Sequence, residues 1–142
     1  MNTQTLKSQL IVHEGFKAKP YKCTADKLTI GYGRNLEDNG ISHAEASYML
    51  ENDIRVVLLD LHELFPHWGE LPELIQLVLA DMRFNLGPQG LRSFRKMLFA
   101  VEQRNWEMMQ EEMVQSRWYD QVGMRATRLC QMVDEVIARV GD

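Results

Sequence analysis

Glu14-Gly15-Phe16-Lys17-Ala18-Lys19-Pro20-Tyr21-Lys22-Cys23-Thr24-Ala25-Asp26-Lys27-Leu28-Thr29-Ile30-Gly31-Tyr32-Gly33 is the stretch that decides how this chain folds. Pro20, Gly31, Gly33 and Gly40 punctuate Tyr21, Leu28, Thr29, Ile30 and Tyr32. That mixture suits a small twisted hairpin or three-stranded ribbon rather than a helix. Just upstream, Leu6, Leu10 and Ile11 recur at helical spacing and predict a short helix ending near His13. Glu14 is thereby placed at the junction of a helix and a ribbon.

Everything beyond the ribbon reads as helix. Ser42-His43-Ala44-Glu45 matches the capping box, in which Ser42 and Glu45 each satisfy a loose backbone group. Behind it Leu50, Ile54, Val57, Leu58 and Leu61 predict one apolar face of a long helix that ends before Pro66. Pro72 suits the first turn of the next helix, Ile75, Val78, Leu79 and Met82 form its stripe, and Gly87-Pro88 is a stop signal. Phe94, Met97, Leu98 and Val101 predict a short helix, and Trp106, Met109 and Met113 another. Ala126, Leu129, Cys130, Val133, Val136, Ile137 and Val140 share one face of the last. The expected fold class is mostly α (α+β). One domain over residues 1–142 is expected, with a small β-containing lobe and connecting helix at about 13–60 and a helical lobe at 61–142.

Composition narrows the function classes. With 142 residues, 45% of them hydrophobic and 25% charged, the chain can bury a core. Its formal net charge is -4, and acidic residues outnumber basic ones in both halves, which argues against nucleic acid as a partner. No stretch reaches the roughly 18 apolar residues of a membrane span, and the N-terminus lacks the apolar run of a signal peptide. Those features predict a protein kept in a cytoplasm, with no membrane insertion. Cys23 and Cys130 are then expected to be free thiols. His62 and His67 stand at i+5 with Pro66 between them, so no metal site is read there, and no cofactor is expected.

The quoted stretch also carries chemistry. It sets a helix-end glutamate against a hairpin bearing a thiol, a carboxylate and a hydroxyl. Breaking a glycosidic bond requires an acid to protonate the leaving oxygen and a second group across the sugar ring. Val12 and Phe16, which flank Glu14, are expected to desolvate it partly and raise its pKa so that it keeps a proton near neutrality.

The spacing Glu14, eight residues, Cys23, five residues, Thr29, then Ile30-Gly31-Tyr32-Gly33, resembles the active-site motif of the phage-type lysozymes, glycoside hydrolase family 24. Phe84-Asn85-Leu86-Gly87 is similar to the family's cleft-lining segment. Ser116-Arg117-Trp118-Tyr119, with Gln121, Arg125 and Ala126, is similar to its C-terminal signature. The resemblance spans nearly the whole chain and implies a lysozyme-like fold whose cleft lies between the two lobes. It also implies an endolysin cutting the β-1,4 bond between N-acetylmuramic acid and N-acetylglucosamine in bacterial peptidoglycan. Such an enzyme is made in the host cytoplasm, reaches the wall through a separate membrane-permeabilising holin, and acts as a monomer.

By that resemblance Glu14 is the general acid, and Thr29 holds the attacking water or contacts substrate. Cys23 stands where many relatives carry a carboxylate. To act as base or nucleophile its thiol needs help, which Lys22, Lys27 or Arg34 is expected to give by favouring the thiolate. Asp26, three residues off the motif position, is the second candidate for that partner. Inverting chemistry is the expected mechanism, with a covalent route through sulfur still open. Tyr21, Arg34, Asn35 and Phe84 are the expected substrate contacts. Arg92, Arg95 and Lys96 form a basic cluster suited to the carboxylates of stem peptides. A lytic transglycosylase and an inactive wall-binding protein remain the alternatives.

Overall fold

The computed structural model describes residues 1–140. The chain forms two compact units, the first of residues 1–50 and the second beginning at Glu51.

In the first unit, helix α1 (Thr3–Glu14) starts where the Asn2 side chain accepts the N–H groups of Gln4 and Thr5 at 2.9 and 3.1 Å. It is followed by β1 (Lys17–Lys22), β2 (Leu28–Gly31) and β3 (Arg34–Asn35), an antiparallel sheet in that order. Tyr21 pairs with Thr29, and Thr29 in turn with Asn35. The β1–β2 register is irregular between Lys17 and Tyr21. Pro20 falls in that interval; it has no N–H to donate, and β1 is an edge strand, where proline is tolerated.

The ribbon runs directly into α2 (Leu36–Asn39), a four-residue helix that hydrophobic periodicity is too long a ruler to detect. Asn35 starts it, its side chain accepting the Asp38 N–H at 3.0 Å. The capping box then forms as expected. Glu45 N–H donates to Ser42 Oγ at 3.1 Å and Ser42 N–H to Glu45 Oε1 at 2.8 Å, opening α3 (His43–Leu64). The boundary between the two units falls inside this helix. Of its expected apolar face only Val57 and Leu61 are buried, whereas Leu50, Ile54 and Leu58 are exposed. Val57 is the first residue of α3 that belongs to the buried core of the second unit.

The second unit contains a 3-10 turn (Trp68–Glu70), α4 (Glu73–Arg92), α5 (Arg95–Glu102), α6 (Trp106–Val114), α7 (Arg117–Val122) and α8 (Met124–Val140). Gly87-Pro88 is a break rather than a stop. Gly87 leaves helical geometry at φ 78 and ψ 173, and helix resumes at Pro88, whose missing N–H costs nothing in a first turn. Leu61, Ile75, Leu79, Met82, Leu91, Met97, Met109, Met113 and Val133 are fully buried here, and Trp68, Trp106 and Trp118 nearly so. Each such side chain stabilises the unit by about 1.5–3 kcal/mol relative to exposure. The predicted face of α8 is buried from Ala126 to Val136, while Val140 is exposed. The result is a mostly α fold with one small sheet. No helix among the described residues is long and apolar enough to cross a membrane.

Candidate active site

Glu14 is the last residue of α1. Gly15 ends the helix at φ 69, its N–H returning to the Ile11 carbonyl at 3.0 Å. The Glu14 carboxylate meets the two-residue turn between β2 and β3: a Cβ built on Gly33 would stand 2.7 Å from Oε2 and 3.0 Å from Cδ. Gly33 is also in the left-handed region, at φ 76. Glycine is therefore needed there on two counts, for the backbone and for the carboxylate lying against it.

Val12 and Phe16 do not desolvate Glu14 as expected. They are 79% and 64% exposed, and Glu14 is itself exposed. No residue of α1 is buried, and Phe16 turns to the Tyr32 ring, centroids 5.5 Å apart.

Cys23 opens the turn that joins β1 to β2. Its N–H donates to the Lys27 carbonyl at 3.0 Å, and its carbonyl accepts the Asp26 N–H at 2.8 Å. Asp26 adopts φ 60, a left-handed conformation that Asp tolerates at turn tips. The second candidate carboxylate thus has a turn-forming role. The Cys23 thiol is held below its ordinary pKa by the backbone N–H groups of Lys27 and Ala25 and then by the Thr29 hydroxyl, which all favour the thiolate.

The cations expected to do this are engaged elsewhere. Lys22 pairs with Glu37 at 3.4 Å, Lys27 with Glu37 and Asp38 at 3.6 and 3.2 Å, and Arg34 with Glu45 at 2.7 Å. Backbone dipoles replace them, a device that no residue spacing reveals.

Thr29, on the central strand, is the buried residue of the first unit, at 3% exposure. Its hydroxyl donates to the Lys27 carbonyl at 2.8 Å and lies beside Cys23. With one proton and two acceptors, it can serve the carbonyl or the sulfur but not both. Tyr21 and Asn35 flank Thr29 across the two ladders. Tyr21 is half-buried. The Asn35 amide caps α2 and donates to Asp38 Oδ2 at 2.9 Å.

Six of the seven expected site residues therefore lie in the first unit. Phe84 lies in the second, on α4, 46% exposed, beside a hollow of about 240 Å³ lined also by Asp53, Val56, Val57 and Arg83. The neighbouring motif residues bind the helices of that unit together. Trp118 Nε1 donates to Asn85 Oδ1 at 2.8 Å, Arg125 Nε to Asp81 Oδ1 at 2.6 Å, and Ser116 caps α7. The expected basic cluster is split. Arg92 donates to Asp60 at 2.6 Å, whereas Arg95 and Lys96 line a separate hollow of about 580 Å³ with Glu112, Arg117 and Trp118.

Comparison with known proteins places residues 12–131 in the family model described as phage lysozyme. The chain is 24% identical to probable T4-type lysozyme 2 of Dictyostelium discoideum, over 92% of this chain and 94% of that protein. It is 23% identical to probable T4-type lysozyme 1 of the same organism over the same shares. It is also 28% identical to the pre-baseplate central spike protein Gp5 of Enterobacteria phage T4, over 71% of this chain and 18% of that one.

Proposed function

The chain belongs to the phage lysozyme family, and on that footing we propose that it hydrolyses the β-1,4 bond between N-acetylmuramic acid and N-acetylglucosamine in bacterial peptidoglycan. The observation that carries this reading is the bracing of the Glu14 carboxylate, at the end of α1, against Gly33 in the β2–β3 turn, with Cys23 and Thr29 presented by the same small sheet and its turn. Glu14 is braced against Gly33, and Cys23 is cradled by two amides and Thr29.

Glu14 protonates the glycosidic oxygen as the bond breaks. On the opposite face of the sugar ring the Cys23 thiolate takes a proton from water, which attacks the anomeric carbon with inversion. The backbone N–H groups of Lys27 and Ala25, with Thr29, favour the thiolate over the thiol, at some cost in its basicity. Thr29 supports that state by turning its hydroxyl proton from the Lys27 carbonyl to the sulfur. In the first unit Tyr21 presents aromatic surface to the sugars. The biological setting is lysis of a bacterial host by a phage endolysin that a holin admits to the wall.

Purified peptidoglycan digested by the native protein, and by Glu14→Gln in parallel, tests the reading. New reducing muramic acid ends from the native protein alone are expected. Anhydro ends would make it a lytic transglycosylase, and bound but intact glycan would leave a wall-binding protein.

A further inference from the structure

The β2–β3 hairpin that braces Glu14 is too short to hold itself. β3 has two residues, and the ladder has two pairs, Thr29 with Asn35 and Ile30 with Arg34. β2 is held on its other side by β1, but β3 has only this two-pair ladder, so contacts beyond the ladder weigh heavily in fixing its position. Arg34 supplies such contacts. One guanidinium nitrogen, Nη1, donates to Glu45 Oε1 at 2.9 Å and to the Gly40 carbonyl at 3.1 Å, and Nη2 donates to Glu45 Oε2 at 2.7 Å. Glu45 cannot drift, because its Oε1 also accepts the Ser42 N–H in the capping box of α3. The planar two-point pairing fixes orientation as well as distance.

We infer that Arg34 is a positioning residue whose pairing with Glu45 holds Gly33, and through it the Glu14 carboxylate, in working geometry. Arg34 is bonded to Gly33, which lies against Glu14 Oε2, and its strand partner Ile30 follows Thr29 directly. One ion pair therefore sets both the Gly33 brace and the register of the Thr29 strand. Three of the five N–H donors of Arg34 already have protein acceptors, so this pairing competes with the substrate contact that the sequence suggested. Both side chains are 41% exposed, and exposed pairs add little to stability. The value of this one is orientation. Arg34 keeps its charge throughout, and Glu45, the titratable group that faces it, is drawn down to about 2 by Arg34 and by Ser42. The pairing is therefore kept charged on both sides well below neutral pH.

The inference rests on the proposed glycosidase reading, so its test has one arm that needs no activity. Arg34→Gln, Glu45→Gln and the double variant are compared with native protein well below their melting temperatures. In the first arm, the amide signal of Gly33 and hydrogen exchange along Thr29–Asn35 are followed by NMR. In the second, kcat and KM are measured on peptidoglycan. The expected result is a moved Gly33 signal, faster exchange, and about a tenfold loss in kcat with KM little changed. Because both single variants break the Arg34–Glu45 pairing, the double variant should lose less than the sum of the two, and Arg34→Lys should recover part of kcat. A rise in KM confined to Arg34→Gln would overturn the inference in favour of a direct substrate contact. An unmoved Gly33 signal would overturn it outright. If native protein has no glycosidase activity, the NMR arm still decides whether the pairing holds the turn.

Discussion

Alanine at Gly33 and alanine at Gly31 form a matched pair that separates backbone strain from displacement of the acid. Both glycines have positive φ, 76 and 69, so each substitution forces an L residue into the left-handed region at about 1–2 kcal/mol. Their surroundings differ. A Cβ on Gly31 meets nothing within 4 Å, whereas one on Gly33 would reach 2.7 Å from Glu14 Oε2 and 3.0 Å from Cδ. Those atoms end a flexible, exposed side chain, so Glu14 relieves the clash by swinging away, at little cost in stability. The two variants should therefore melt at similar temperatures. Activity should differ sharply, because moving a catalytic group by about 1 Å can cost on the order of a hundredfold in rate. Thermal denaturation and initial rates of wall hydrolysis, run side by side, read both quantities. Gly33→Ala as active as Gly31→Ala would refute the argument that Gly33 sets the position of Glu14.

Three further outcomes follow. Iodoacetamide should alkylate Cys23 with a pH midpoint below that of an ordinary thiol, and Thr29→Val should raise the midpoint by removing one donor to the thiolate; a midpoint unmoved by Thr29→Val would detach Thr29 from the sulfur. Asp60→Asn should destabilise the protein by about 3 kcal/mol in urea titrations, because Arg83, 10% exposed, then loses its buried counter-charge. The same carboxyl is drawn down from an ordinary 3.8 to about 2, chiefly by Arg92 and also by Arg83. A depressed folded-state pKa stabilises above the unfolded value and is lost as pH falls through the folded one. Native protein should therefore lose that stability from about pH 4 to pH 2, and Asp60→Asn should lose less over the same window. Leu61→Ala, which empties a fully buried site, should cost about 2–5 kcal/mol by calorimetry or denaturant titration.

What the sequence made legible follows from the range of its signals. The ribbon, the capping box at Ser42 and Glu45, and the stripes of α4 and α8 were readable because each is set by residues a few positions apart. The four residues of α2 and six of α7 complete too few turns to show a period. Gly87-Pro88 was recognised as punctuation, but whether helix resumes afterwards depends on Leu91 finding the core. In the candidate site, Glu14, Cys23 and Thr29 were picked out by spacing, yet their surroundings were not. The pairing of Arg34 with Glu45 spans eleven positions, and the Gly33 brace spans nineteen and depends on an absent side chain. Amide donors to Cys23 come from the backbone, on which residue type is silent.

The most direct test of the central claim is digestion of peptidoglycan in water enriched in heavy oxygen, followed by mass spectrometry of the released fragments. Hydrolysis with Glu14 as acid predicts one heavy oxygen at each new reducing muramic acid end, and no such ends with Glu14→Gln. Cleaved ends without heavy oxygen, or labelled ends made equally well by Glu14→Gln, would contradict it.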